Sequence, residues 1–251
     1  MYLLTRRWLL FGLVVIILAV ACWRLGVWQF DRLEERRADN EIFETNLAAP
    51  VRPADDVMSS TSPLPGDAEW QRVEMIGTYD LRGQTLVRYQ TRDGQPGMNV
   101  VVPLVGDDGA TALVDRGWFA VTNDPGARVD PPDPPSGRVT VIGWAQPDQN
   151  GDPDEITPND GKVRLISSTG FESEVGGHLL HGYIAARQER PAPPEELERA
   201  APPELDSGPH FFYGLQWWFF AALAVGGFGY LAWSEARDRR TARENRGDAA
   251  N

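Results

Sequence analysis

Two long apolar runs, one near each end of the chain, constrain this sequence more than any other feature. Trp8 to Val27 is 20 residues interrupted only by Arg24; as a helix it is about 30 Å long, the thickness of the hydrocarbon layer. Phe211 to Trp233 is 23 residues, enough to cross with some tilt. Two transmembrane helices are therefore predicted. Arg6 and Arg7 precede the first run, and Arg237, Arg239, Arg240, Arg243 and Arg246 follow the second. Cationic flanks stay on the cytoplasmic side, so both termini are expected inside a bacterial plasma membrane and the middle of the chain outside.

Leu18-Ala19-Val20-Ala21-Cys22 resembles a lipoprotein cleavage box, and Thr5-Arg6-Arg7 a twin-arginine export signal. The box lacks an aliphatic residue three before the cysteine, and apolar character continues to Phe30, so an uncleaved anchor is expected. Cys22 is the only cysteine, which excludes an internal disulfide and CxxC chemistry.

Residues 30–209 carry 16 Lys and Arg against 32 Asp and Glu. Such a surface repels nucleic acid, so no nucleic-acid partner is expected, and a protein or a neutral small molecule is favoured. The chain divides into a cytoplasmic N-terminus (1–7), a first span (8–27), a helical extension and crossing segment (28–69), an exported β domain (70–190), a Pro-rich acidic linker (191–209), a second span (210–233) and a charged tail (234–251). Within the β domain, Val, Ile, Thr, Tyr and Trp dominate Gln71 to Tyr79, Thr85 to Arg92, Met98 to Val105, Ala112 to Phe119, Arg138 to Trp144, Val163 to Ser167 and Gly182 to Arg187. Arg82-Gly83, Asp93-Gly94 and Asp108-Gly109 read as hairpin turns. The fold class is thus a membrane α+β protein, with two transmembrane helices flanking an antiparallel sandwich or partial barrel.

Asp124 to Gly137, Asp148 to Gly161 and Arg190 to Pro209 read as solvated loops. Asp148, Asn150, Asp152 and Asp154 have the spacing of a calcium loop, but Pro153 takes the glycine position and Asn159 replaces the closing glutamate. Pro194 to Ala200 has the composition of a short helix with Glu195 and Arg199 at i,i+4. No hydrolase, P-loop, dinucleotide or zinc motif occurs, so no enzyme is expected. His178 and His181 form an HxxH in a predicted loop without a third ligand. Asp115-Arg116 reads as an ion pair closing a hairpin.

His210 stands at the mouth of the second run, after Gly208-Pro209, where a helix is expected to begin. An ionisable side chain at the edge of hydrocarbon is a functional candidate, and both desolvation and the helix dipole favour its neutral, metal-ligating form.

Four segments together resemble the surfeit locus family of cytochrome c oxidase assembly factors. Leu25-Gly26-Val27-Trp28-Gln29-Phe30-Asp31-Arg32-Leu33 resembles the family's LGxWQxxR signature, and Arg92-Asp93-Gly94-Gln95-Pro96-Gly97, leading into Val100 to Leu104, its second block. Leu113 to Phe119 matches its VxRGW strand, and His210 to Trp217 its HxxYxxQW entry to the last span. Ser207-Gly208-Pro209, where members often carry asparagines, and the longer acidic loops depart from the pattern.

The resemblance implies a factor that holds haem a, or stabilises subunit I of a haem-copper oxidase, during haem insertion at the outer membrane edge. Its implied partners are cytochrome c oxidase subunit I and other assembly factors. His210 is then the candidate iron ligand, and Trp28, Tyr213 and Trp217 line the ring; beyond what the resemblance implies, Arg32 and Arg116 are expected to pair with propionates, whose carboxylates suit bidentate arginine. Leu25, Trp28, Gln29 and Arg32 share one helical face, as do His210, Tyr213, Gly214 and Trp217, and the two stripes are expected to meet if the spans pair antiparallel. A permanent accessory subunit, whose acidic exported domain binds a protein partner, is the alternative.

Overall fold

The computed structural model describes residues 5–122, 130–176 and 178–248. Of the acidic loop expected from Asp124 to Gly137, residues 124–129 lie outside the described residues. The chain separates into a helical unit, residues 1–40 with 206–251, and a β unit, residues 41–205.

In the helical unit, α1 (Arg6–Ala48) continues far past the first apolar run. Asp31 to Ala48 contains neither glycine nor proline and is rich in helix formers, so α1 ends only before Pro50. The last helix, α4 (His210–Asp248), starts directly after Pro209. Both helices are long and apolar enough to cross a membrane. Their outward faces keep apolar side chains uncovered, with Ile16 61% and Phe212 75% exposed.

The β unit contains β1 (Arg52–Pro53), β2 (Arg72–Tyr79), β3 (Thr85–Arg92), β4 (Gln95–Gly106), β5 (Ala110–Ala120), β6 (Arg138–Gln146), α2 (Pro153–Ile156), β7 (Lys162–Val163), α3 (Ser168–Val175) and β8 (His178–Arg190). Pairing runs β2–β6–β8–β5–β4, and β4 pairs back to β2 through Gly77↔Gly106 and Tyr79↔Leu104, which closes a five-stranded ring. Taken in chain order, the ring strands are arranged first, second, third, fifth, fourth, as in an OB-type Greek-key barrel.

The sheet is mixed, which corrects the antiparallel expectation. β5 and β8 run parallel while the other four ring pairs are antiparallel. A ring with an odd number of strands cannot alternate direction all the way round, so one parallel pair is a topological necessity. β1 and β7 add short parallel pairings to β2 and β3.

Asp93-Gly94 makes the expected tight hairpin, with φ of 48° and 77°, the mirror-image turn that suits strand twist. Arg82-Gly83 does not: it lies in a 3-10 turn between strands that do not pair with each other. The strand expected from Val163 to Ser167 stops at Val163, and α3 follows. β8 begins at His178, so His178 and His181 lie in a strand and not in a loop. Residues 194–200 form no helix, because Leu197 is drawn into the core and Glu198 pairs by backbone with Trp118.

The centres of β4, β5 and β8 are buried on both faces. Val100, Val102, Val114 and Ile184 fill one apolar cluster, while the alternate residues Val101, Leu113 and Ala185 pack beneath Phe171 of α3 in a second. Covering Phe171 completely contributes about 1.5–3 kcal/mol by apolar-area bookkeeping.

Candidate functional site

Within the helical unit α1 and α4 pack antiparallel along a seam of aromatic rings laid on glycines. Trp23 and Trp218 stack with centroids 5.2 Å apart and 14° between planes, and Phe30 tilts onto Trp218 at 4.7 Å and meets Phe211 edge-on at 6.1 Å. A Cβ added to Gly26 would lie 2.2 Å from the Trp218 ring, and one added to Gly214 2.7 Å from Phe30. At the other end of the pair Phe228 packs against Trp8 and Phe11 at 5.8 and 5.4 Å. Glycines that admit a neighbouring side chain to the helix backbone are a recurrent way to pair helices in lipid.

Beside this seam a polar side-chain contact joins the two helices. Gln29 Oε1 lies 2.8 Å from His210 Nδ1. The amide oxygen accepts, so Nδ1 is the donor, and in the neutral imidazole Nε2 is the nitrogen left with a lone pair. Gly208 has φ of 63°, and a Cβ there would stand 3.4 Å from Nε2, so glycine keeps this side of the imidazole open. The turn that carries His210 is pinned to α1. Asp206 O accepts from Asn40 Nδ2 at 3.0 Å and from Arg36 Nε at 3.4 Å, while Asp206 Oδ1 accepts from Gly208 N at 3.1 Å.

The remaining expected site residues separate by location. Trp28 and Tyr213 are each 48% exposed, and Trp217 is half-buried against Phe220. Arg32 pairs with Glu35 at 2.7 Å. Gly214 is the one member of the two expected stripes that lies in the seam, where it admits Phe30 as its lack of a side chain allows; the rest of the seam is made by Trp23, Gly26 and Phe30 with Phe211 and Trp218. Only at Gln29 and His210 does a side chain of one stripe bond to a side chain of the other.

Arg116 belongs to the β unit and has no exposed surface. Its Nε donates to Glu189 Oε1 at 2.9 Å, and its Nη1 and Nη2 donate to the carbonyls of Pro132 and Asp133. Tyr79 OH donates to the same carboxylate oxygen at 2.6 Å, and Arg199 Nη2 donates to Glu189 Oε2 at 2.7 Å. The guanidinium is thereby committed inside the barrel, which corrects its assignment to a propionate. Burial pushes the Glu189 carboxyl up, but the hydrogen bonds from Arg116, Tyr79 and Arg199 outweigh it and hold the group below the ordinary range. Burial, with the adjacent Glu189 charge, drives the Tyr79 hydroxyl well above its usual value.

Asp115 does not pair with Arg116, contrary to the hairpin ion pair expected. It accepts from Asn99 Nδ2 at 2.7 Å and Gly117 N at 3.0 Å, and burial raises its pKa. Beside it the second and third family-like blocks meet. The Trp118 indole lies over Gly97, where a Cβ would come within 2.1 Å of the ring, and its Nε1 donates to Gln90 O at 2.9 Å. Arg92 stands 5.6 Å from the same ring and pairs with Glu198.

Glu189, Tyr79 and Arg199 escaped sequence reading because no spacing rule joins positions 79, 116, 189 and 199. Gln29 could have been found, since it lies in the first block and on the same stripe as Trp28 and Arg32. Among the described residues no group of three or more His, Cys, Asp or Glu could hold a metal ion. The calcium-like acidic run serves local structure. Asp148 accepts from the N–H and hydroxyl of Ser168 at the start of α3, and Asp152 with Glu155 forms a capping box on α2. His181 Nδ1 lies 3.1 Å from the Ser168 hydroxyl.

The four family-like blocks thus form two clusters, the first with the fourth on the helix pair and the second with the third in the barrel. The chain is 31% identical over 244 residues to uncharacterized SURF1-like proteins of Mycobacterium bovis and Mycobacterium tuberculosis, covering 95% of this chain and 88% of each relative. The SURF1 family model matches residues 16–222, so this chain belongs to the SURF1 family.

Proposed function

We propose that this protein is a membrane-bound, non-enzymatic assembly factor for a haem-copper oxidase, which holds haem a as cargo while subunit I receives it. The Gln29–His210 hydrogen bond carries the reading. A metal-ligating histidine typically donates its other ring N–H to an oxygen acceptor, which fixes the tautomer and raises ligand basicity. Here Gln29 fills that role and Gly208 leaves the Nε2 side open. His210 would then hold the haem iron through Nε2. Tyr213 and Trp217, three and seven residues further along α4, supply an aromatic wall, with Trp28 and Arg32 on α1 as further contacts for the ring and a propionate.

Both helices cross the bacterial plasma membrane in this reading, and the arginine flanks set both termini in the cytoplasm. The β unit then stands outside, where its acidic surface meets subunit I and other assembly factors. Family membership supports oxidase assembly as the process served.

Optical titration of the purified protein with haem a tests the proposal, using wild type, His210→Ala and Gln29→Ala. His210→Ala should lose the ligand-field bands. Gln29→Ala should weaken binding by about 10–100-fold, the usual effect of removing a second partner of a metal-bound histidine. Unchanged spectra and affinity in His210→Ala would overturn the ligand assignment. A gene deletion that leaves the haem a signal of subunit I intact would overturn the assembly role.

A further inference from the structure

Three adjacent strands of the barrel set an arginine, a tryptophan and an arginine in a row. Arg72 on β2 is the register partner of Trp144 on β6, and Trp144 is the partner of Ala185 on β8. The β6–β8 ladder slips between Ile142, which pairs with Gln188, and Gly143, which pairs with Ala186. Arg187 is the extra residue of that bulge, and bulges re-aim the side chains they carry. Its guanidinium stands 4.8 Å from the centre of the Trp144 ring.

The row lines a cleft of about 770 Å³ that is bounded on its other side by Pro193, Glu196 and Arg199. That size lies within the range of small-molecule sites. The Arg72 side chain makes no hydrogen bond or ion pair among the described residues, and the Arg187 side chain uses only Nη1, which donates to Ala200 O at 2.7 Å. Glu189, which also lines the cleft, is already neutralised by Arg116 and Arg199. Three arginines, Arg72, Arg187 and Arg199, therefore line the cleft with two carboxylates, Glu189 and Glu196. This local excess of positive charge sits in a chain whose net charge is −12.

We propose that this cleft binds a small dianion, either a dicarboxylate or a phosphate monoester, through the uncommitted guanidinium N–H groups of Arg72 and Arg187. Planar guanidinium forks match both oxyanions. The net charge of −12 on the chain disfavours long polyanions such as nucleic acid, so a bounded ligand is selected.

Equilibrium dialysis of the full chain in detergent micelles, with labelled inorganic phosphate and separately with succinate, tests this at about 0.15 M ionic strength, where non-specific attraction is screened. Saturable binding is expected for at least one probe, and which one binds distinguishes the two sources of the dianion. Arg72→Gln and Arg187→Gln should each weaken it by about tenfold or more. Arg138→Gln, an exposed arginine paired with Asp107 elsewhere on the barrel, should leave it unchanged. Arg72→Lys keeps the charge without the fork and should bind at an intermediate level, which covers the case of a glutamine variant that fails to fold. The proposal is overturned if neither anion binds saturably below roughly 10 mM, a range weaker than any dedicated small-ligand site. Equal weakening by Arg138→Gln would also overturn it.

Discussion

The helix pair and the barrel both bring distant family-like blocks together, but they use polar groups in opposite ways. Along the helix seam the contacts are rings on glycines, and a polar side-chain bond between the helices, Gln29 to His210, leaves a ring nitrogen open. In the barrel a buried arginine is satisfied on every side by a carboxylate and two carbonyls, so it holds the fold and offers nothing outward. The lesson is that residue type does not assign a role. Arg116 and His210 are both ionisable residues in family-like blocks, and only their surroundings separate a structural group from an open one.

The largest expected effect breaks the barrel side of the contrast. Glu189→Gln leaves Arg116 buried beside a neutral partner and should cost about 3–5 kcal/mol, as removal of one member of a buried pair does. Chemical unfolding followed by barrel tryptophan fluorescence measures it, and a change near zero would mean that the cluster is wetter than its burial indicates. On the helix side Gly26→Leu drives a side chain into the Trp218 ring and should cost about 1–3 kcal/mol in helix pairing, the usual penalty of overpacking. Cysteine cross-linking across the Trp23–Trp218 contact reads that loss.

Acidity should separate the two regions as well. The Glu189 pKa is depressed in the fold, so its stabilisation is present above the unfolded value and is lost as pH falls through the folded one. The Asp115 pKa is raised, so its contribution is complete below the unfolded value and fades as pH rises through the folded one. Barrel stability should therefore rise on mild acidification as Asp115 takes a proton, then fall below the ordinary carboxylate range as Glu189 does. Unfolding midpoints across a pH series check the profile, and Asp115→Asn should remove the first limb. The smallest effect belongs to Arg32→Gln. Its partner Glu35 is surface-exposed, so stability should move by no more than about 0.5 kcal/mol, while haem a titration of the same variant reports whether Arg32 serves the ligand.

Much of this was legible because local rules suffice for it. The two apolar runs, the strands from Thr85 to Arg92 and from Arg138 to Trp144, and the Asp93-Gly94 turn each follow from a periodicity or a dihedral preference carried by adjacent residues. The capping box of Asp152 and Glu155 is equally local, since aspartate, proline and glutamate stand at the first positions of a helix. Other features had no local signature. Leu197 was drawn into the core and Glu198 onto Trp118 against a helical composition, because burial and two backbone hydrogen bonds outweigh the weak propensity of a few residues.

By itself the sequence determined the helices long enough to span a membrane, the β character of the middle and the four blocks that mark the family. Those properties reside in short stretches, where hydrophobic length and spacing act directly. Tertiary structure alone decided that the ring has five strands and hence one parallel pair, that Gln29 fixes the His210 tautomer, and that Arg116 is enclosed by Glu189. The two side-chain contacts join residues 181 and 73 positions apart, and only the pairing of two helices or the closing of a ring brings such residues within bonding distance.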